Sequence, residues 1–347
     1  MPASLELGLD TFGDVTVEAG GTLVADAQAI RNVVEQAALA DRVGVDVFGV
    51  GEHHRPDFSV SAPEVVLGAI AGQTARIKLG SAVTVLSTDD PVRIFQRFST
   101  LNAVSTGRAE VILGRGSFTE SYTLFGFDLN RYDEWFEDKL ALFAELLKNG
   151  PVTWTGTTRT ALTNQMIYPR IESGRLAAWV GVGGSSESVV RAARYGLPLT
   201  LAIIGGDPLR FRSYVDLYLR SLTRFGHAPQ AIAVHQPGHV ADTDERAREE
   251  LWPHYRDMLT RIGRERGWPP VTRDHFEREA GPDGALCVGA AATVAAKIAR
   301  TVTALELSRF SMKYSAGTLR HPSLMRSIEL FGTEVGPRVR ALAGREP

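Results

Sequence analysis

Short apolar runs alternate with longer helical patterns eight times along the chain, and this alternation constrains the fold more than any other feature. In order, the runs are LELGLD (5–10), VDVFGV (45–50), IKLGSAVTVL (77–86), AEVILG (109–114), AAWVGV (177–182), LPLTLAII (197–204), AIAVHQPGHV (231–240) and SRFSMKY (308–314). Such runs read as strands buried on both faces, and a crossover helix after each strand brings the next one in parallel. Eight repeats favour a closed (β/α)8 TIM barrel, an α/β fold, over an open doubly wound sheet. A chain of 347 residues accommodates one such domain, expected over 1–347, with insertions. Two stretches break the rhythm. Residues 150–176 contain the β-rich VTWTGTTRTALTNQMIYPRI and read as a hairpin-like insertion before strand five. Residues 264–300 hold a Pro-rich turn and the helix VAAKIARTVTAL, an insertion before strand eight.

Composition excludes several partner classes. Thirty-eight basic residues stand against 40 acidic ones, and clusters such as RIGRER read as solvated helix faces, so no nucleic-acid footprint is expected. The single cysteine, Cys287, forms no intrachain disulfide and fits a reducing compartment. No apolar stretch reaches the length of a membrane span, and the N-terminus lacks a cationic region followed by an apolar one. A cytoplasmic protein without membrane contact is therefore expected.

In a barrel of this type the working face lies at the C-terminal ends of the strands. FGVGEHH (48–54) falls there, after strand two. Side chains alternate along a strand, so Phe48, Val50 and Glu52 share one parity, and the bulky pair Phe48 and Val50 is expected to face the helices. Gly49, Gly51 and His53 would then face the lumen, with the glycines leaving space beneath His53. Adjacent histidines on extended chain diverge, and neither an HxH on strand one nor an HExxH anywhere completes a metal site, so no metal ligands are assigned. His53 is instead a candidate acid/base or hydrogen-bonding group, or else a structural loop histidine. In LGRGSF (113–118), Arg115 is presented between glycines at the end of strand four, for an anion or for a loop carboxylate. In VGVGGSSESVVRAA (180–193), Gly183, Gly184, Ser185, Ser186 and Ser188 crowd a helix N-terminus. That is more than one N-cap needs, and with Arg115 next to it the pattern suggests a phosphate clamp. Asp90, before Pro91, reads as a helix cap. Glu110, His235, Gln236 and Lys313 fall inside strands, either as an internal network or as the lining of a ligand.

Taken in chain order, FGVGEHH, LGSAVTVLSTDDPVR, STGRAEVILGRGS, VGGSSESVVRAARYGLPLTL, CVGAAATVAAKI and RSIELFGTEVGPRVR resemble the bacterial luciferase-like family of flavin-dependent monooxygenases, over essentially the whole chain. The resemblance implies a barrel that is usually dimeric and binds FMN, with the deazaflavin F420 in some branches. His53 matches the family's acid/base histidine. Ser81, Ala82, Val83 and Gly114 would line the flavin, with a non-proline cis peptide at Ala82–Val83. Arg115, Ser185, Ser186 and Ser188 match its phosphate-binding positions. Gly114 replaces a reactive cysteine of the light-emitting subunit, and Asp90 replaces a histidine, which points away from light emission. The resulting expectation is a monooxygenase that uses reduced FMN, supplied by a separate flavin reductase, and O2 to oxidise a small organic substrate. No GxGxxG fingerprint for NAD(P)H occurs, in keeping with borrowed flavin. The alternatives are an F420-dependent hydride-transfer oxidoreductase, a non-catalytic flavin-binding protein and, more remotely, a metal-dependent barrel hydrolase.

Overall fold

The computed structural model describes residues 5–116, 118–172 and 174–345, so the extreme termini of the expected domain and Ser117 of the LGRGSF stretch lie outside the described residues. Eight parallel strands form the sheet: β1 (Glu6–Thr11), β2 (Val47–Val50), β3 (Lys78–Ser81), β4 (Ala109–Gly114), β5 (Ala177–Val182), β6 (Leu199–Ala202), β7 (Ile232–Val240) and β8 (Arg309–Lys313). Each pairs with the next, and β8 pairs with β1 in the register Glu6↔Arg309 to Asp10↔Lys313, which closes the barrel. The (β/α)8 expectation holds. Outward-facing Phe48, Leu79, Val111, Leu113, Val180, Leu201, Val234, Phe310 and Met312 are fully buried against the helical layer.

The helices that follow the strands are α1 (Asp26–Arg42), α2 (Pro63–Ala71), α3 (Pro91–Val104), α4 (Tyr132–Leu146), α5 (Ser186–Arg194), α6 (Arg212–Arg224), α7 (Asp244–Arg266) and α8 (His321–Leu330). Local chemistry sets their starts. Asp90 caps α3 by accepting from Val92 N at 2.8 Å and Arg93 N at 3.2 Å, with Pro91 in the first turn, where its missing N–H costs nothing. Strand three is shorter than its sequence run. After Ser81 a cis peptide joins Ala82 to Val83, and pairing with β4 resumes at Thr84–Val85 with the register slipped by one residue. The Ser81 hydroxyl fills the gap in the ladder, donating to Ile112 O (3.2 Å) and accepting from Ile112 N (3.1 Å).

Before β5 the chain makes the antiparallel hairpin Val152–Trp154/Leu162–Gln165, the expected β-rich insertion. The insertion before β8 differs from expectation in its limits. The helix Ala291–Leu305, placed by sequence inside the insertion, packs in the helical layer against β8 and the C-terminal helix Gly336–Leu342. The C-terminal half of α7 leaves that layer and lies across the barrel mouth, followed by the helix Arg273–Ala280. An amphipathic pattern shows that a helix has an apolar face but not which surface covers it. Among the described residues no helix is long and apolar enough to cross a membrane.

Charges near the N-terminal floor of the barrel are cross-linked. Arg309, 3% exposed, donates to Glu110 Oε2 (2.6 Å) and Glu6 Oε2 (2.7 Å), and its guanidinium lies 4.4 Å from the Trp179 ring centroid. Lys78 binds Glu6 and approaches Glu110 Oε1 at 3.5 Å. Removing one partner of a buried pair strands the other charge. Arg309→Met should therefore lower unfolding stability by about 3–5 kcal/mol, and adding Glu110→Gln should recover part of the loss. Urea unfolding of the single and double variants checks this.

Candidate functional site

The loops at the C-terminal ends of the strands enclose a cavity of about 1360 Å³ whose wall is mainly apolar. His53 lies in this wall. Its backbone N–H donates to Val60 O at 3.0 Å, and its ring is enclosed by Phe12, Phe58 and Phe118 at centroid distances of 4.5, 4.6 and 5.1 Å. Burial among these rings, helped by the Lys313 ammonium, lowers the His53 pKa to about 3. The imidazole is thus neutral at ordinary pH and offers one donor and one acceptor.

Phe48 and Val50 face the helices as expected, but the glycines between them have a different purpose from the one inferred. The space beside them is filled. A Cβ on Gly49 would stand 2.9 Å from Asp10 Cβ, and one on Gly51 would stand 2.5 Å from Phe12 Cδ1. The glycines let β1 and the cis segment approach β2. Glu52 also departs from the alternation, because the strand ends at Val50. Its N–H donates to Val83 O (3.1 Å), and its carboxylate accepts from Val85 N (2.8 Å) and pairs with His54 Nε2 (3.0 Å). Glu52 therefore braces the strand-three exit. His54, edge-on to Phe125 at 5.0 Å, supports Glu52.

One side of the cavity is built from small residues. Ala82, Val83, Gly114 and Gly181 lie side by side there, and a Cβ on Gly114 would meet Val83 Cγ2 at 2.4 Å. Ser81 is fully buried, with its hydroxyl engaged by Ile112. Beyond Gly114, Arg115 contacts Tyr132 OH and Asp133 Oδ1 (2.8 Å) through Nη1 and lies 4.8 Å from the Tyr132 ring centroid. Asp133 also accepts from Arg191 of α5 at 3.2 Å, so the arginine and that helix share a carboxylate. Gly183 reaches the cavity wall; Gly184 takes φ +104° and its carbonyl accepts from Tyr214 OH at 2.6 Å. Ser185 caps α5, accepting from Ser188 N at 3.3 Å, and its hydroxyl donates to Ser188 Oγ at 2.8 Å. The structure thus brings Arg115, Gly183 and the start of α5 to one side. Ser185, Ser186 and Ser188 stand behind the cavity wall, with Ser186 exposed and Ser188 buried.

The opposite side comes from α7 and the segment after it: Tyr255, Met258, Leu259, Ile262, Trp268 and Val271. Ion pairs hold α7 to the loop after β2. Arg55 grips Glu265 through two contacts of 2.6 and 2.7 Å, and Arg261 reaches Asp57 at 3.1 Å. Lower in the lumen, His235 Nδ1 lies 2.9 Å from Asp10 Oδ2. Lys313 is bound by Asp14 at 3.0 Å and by Ser315, and Gln236 donates to Ala285 O at 2.8 Å. Of the polar residues inside the strands, Glu110 and Lys313 are thus joined in internal ion pairs and His235 in a pair that also faces the cavity. Asp10, Phe12, Phe58, Phe118 and Tyr132 were not singled out by sequence reasoning. Asp10 alone left a signal, a charge on lumen parity at the end of LELGLD. Among the described residues no group of three or more His, Cys, Asp or Glu side chains is placed to hold a metal ion.

The model of the luciferase-like monooxygenase family matches residues 12–306. The chain is 28% identical over 218 residues to an N-acetyl-S-alkylcysteine monooxygenase of Bacillus subtilis (strain 168), covering 60% of this chain and 63% of that protein, or less than two thirds of its length. Two solved structures share the fold. One is the oxygenating constituent of 3,6-diketocamphane monooxygenase from the CAM plasmid of Pseudomonas putida in complex with FMN, with a TM-score of 0.76, 18% identity and coverage of 97% and 99% of the two chains. The other is an F420-dependent secondary alcohol dehydrogenase in complex with an F420–acetone adduct, with a TM-score of 0.76, 19% identity and coverage of 97% and 99%. The chain belongs to the luciferase-like monooxygenase family.

The His53 environment has a consequence for stability. An unfolded chain takes up the proton near the ordinary value of 6.5, whereas the folded one holds it off to about 3. The contribution is fully present above pH 6.5 and is lost as pH falls through this window, by about 1.4 kcal/mol per pH unit. Urea unfolding of wild type and His53→Gln at several pH values should show a shallower acid-side decline in the variant.

Proposed function

We propose that this luciferase-like enzyme is a monooxygenase that uses reduced FMN and O2 to oxidise a small, largely apolar organic molecule. One observation carries the reading: a platform of small residues, a cationic end and a neutral histidine among aromatic rings meet in one cavity. The site fits a flavin. The Ala82–Val83 segment and Gly114 leave a surface free of large side chains for a flat ring system, and Ser81 fixes that surface from behind. Arg115 holds the phosphate. Its two protein contacts both use Nη1, and a guanidinium has five donors. The backbone at Gly183 and Gly184 and the α5 N-terminus add favourable charge, with Ser185, Ser186 and Ser188 as the surrounding hydroxyls.

Bound there, reduced FMN supplies the electrons that activate O2. His53 donates a hydrogen bond into the cavity from a ring that carries no charge, or relays a proton at that position. Phe12, Phe58, Phe118 and the α7 segment exclude water from the reacting groups. The reading includes a separate reductase that supplies the reduced flavin, a homodimer and work in the cytoplasm. The 3,6-diketocamphane relative, solved with FMN, supports it by analogy of fold. Hydride transfer with F420 is the second reading, supported by the F420-dependent dehydrogenase of the same fold.

Titration of the purified chain with FMN, reduced FMN and F420, followed by fluorescence and calorimetry, tests both readings. The expected outcome is about micromolar or tighter binding of FMN in at least one redox state. Arg115→Ala should weaken it about tenfold or more, the loss of one charge-assisted hydrogen bond. Preference for F420 selects the second reading, and binding of neither flavin removes both.

A further inference from the structure

We infer that Asp10 and His235 form a second proton-transfer site in the cavity, at which His235 Nε2 takes the proton from a hydroxyl group on a largely apolar substrate. This deepens the monooxygenase reading and rests on it. The pair joins β1 to β7 across the lumen, with His235 Nδ1 2.9 Å from Asp10 Oδ2. Asp10 is 2% exposed, and its second oxygen, Oδ1, is buried without a hydrogen-bond partner. A buried carboxylate left with an unused oxygen attracts positive charge beside it. A carboxylate oxygen at Nδ1 favours the tautomer with the proton on that nitrogen, which leaves Nε2 as the acceptor. Among the described residues Nε2 has no protein partner, and His235 lines the cavity. The Phe12 ring, 6.2 Å away and within 8° of parallel, sets the plane of the imidazole.

The other charges near the pair are already matched. On β8, Lys313 is bound by Asp14 and Ser315, and Arg309 by Glu110 and Glu6. On β6, Thr200 and Ala202 bring no charge. His53, 4.5 Å from the Phe12 ring centroid, lacks a hydrogen-bonded carboxylate and is held neutral. His275 and Arg278 face the cavity from the helix over the mouth. The surface between His235 and that helix is apolar, with Ile204, Tyr255, Met258, Leu259 and Ile262. With Arg309 and Lys313 committed to carboxylates, the lumen beside the pair has little to offer a permanently anionic group. A neutral hydroxyl that ionises only on contact with the base suits it.

The step balances. The substrate O–H bond breaks, its electron pair stays on oxygen, and the proton moves to Nε2. The imidazolium stands against the Asp10 carboxylate, and the proton passes to solvent when the product leaves. No oxidant takes part in the step, and the electron-rich oxyanion it forms is a better target for an electrophilic oxygen donor than the neutral hydroxyl.

4-Nitrophenol is a suitable probe because its neutral and ionised forms absorb differently. It is titrated into wild type, His235→Gln and Asp10→Asn, with and without FMN, at a pH below the phenol's own pKa. The expected result is the phenolate spectrum on binding to wild type, its loss in His235→Gln, and a phenolate-to-phenol ratio about tenfold lower in Asp10→Asn, one pKa unit. FMN affinity should be equal in all three, which also shows that the variants fold. A phenolate spectrum that survives in His235→Gln overturns the inference, as does wild type that binds only neutral phenol or none. Failure of wild type to bind FMN, with the phenol result intact, counts against the cofactor reading and leaves the dyad standing.

Discussion

A charge pointing into the lumen of a closed barrel has no bulk water to solvate it, and the pairing this demands organises the molecule from floor to mouth. At the floor, Arg309 satisfies Glu110 and Glu6 at once and stacks on Trp179, linking β8, β1, β4 and β5 across the interior. Higher up, Lys313 is neutralised by Asp14 and Ser315. Breaking such pairs is costly because the remaining charge stays buried. Asp10 is the exception, with one oxygen on His235 and the other on nothing. Among the described residues this second oxygen is the one buried carboxylate oxygen without a hydrogen-bond partner, and it belongs to a residue that lines the cavity.

Much of the architecture was legible in the sequence. The count of strand–helix units was visible because parallel strands buried on both faces leave short, continuous apolar runs. The location of His53 followed from the same count, since a residue just past a strand's C-terminal end can only be at the mouth. The Asp90 cap was legible because its chemistry is local, with donor and acceptor within three residues.

What was not legible is non-local. Asp10 and His235 are 225 positions apart, and no pattern in either strand names its partner. Arg115 stands between two readings for a similar reason. An arginine between glycines is compatible with an anion or a carboxylate, and the structure supplies Asp133 from the next helix, which Arg191 shares. Glu52 shares the parity of Phe48 and Val50, yet alternation holds only while the ladder continues. Once β2 ends at Val50, the backbone donor at Val85 decides where the carboxylate goes. At α5 the Ser185 hydroxyl bonds both the N–H and the hydroxyl of Ser188, a division of labour within one turn that the run of serines does not reveal.

The placement of α7 separates two tasks that a barrel mouth usually mixes. Arg115, Gly114, Val83 and the α5 terminus sit on the ends of β3, β4 and β5, whose positions are fixed by the sheet. The facing wall of Tyr255, Met258, Leu259 and Ile262 belongs to a helix tied down by surface ion pairs, Arg55–Glu265 and Arg261–Asp57. Exposed pairs of this kind contribute little energy each, about 0–1 kcal/mol, so the wall can move or be rebuilt without disturbing the floor. The two walls of the cavity are thus fixed by different means, one by the sheet and the other by side-chain ion pairs. His53 and His235 both neighbour the Phe12 ring, at 4.5 and 6.2 Å between centroids, one neutral by enclosure and the other backed by a carboxylate. One aromatic ring just past the end of β1 thus neighbours both imidazoles.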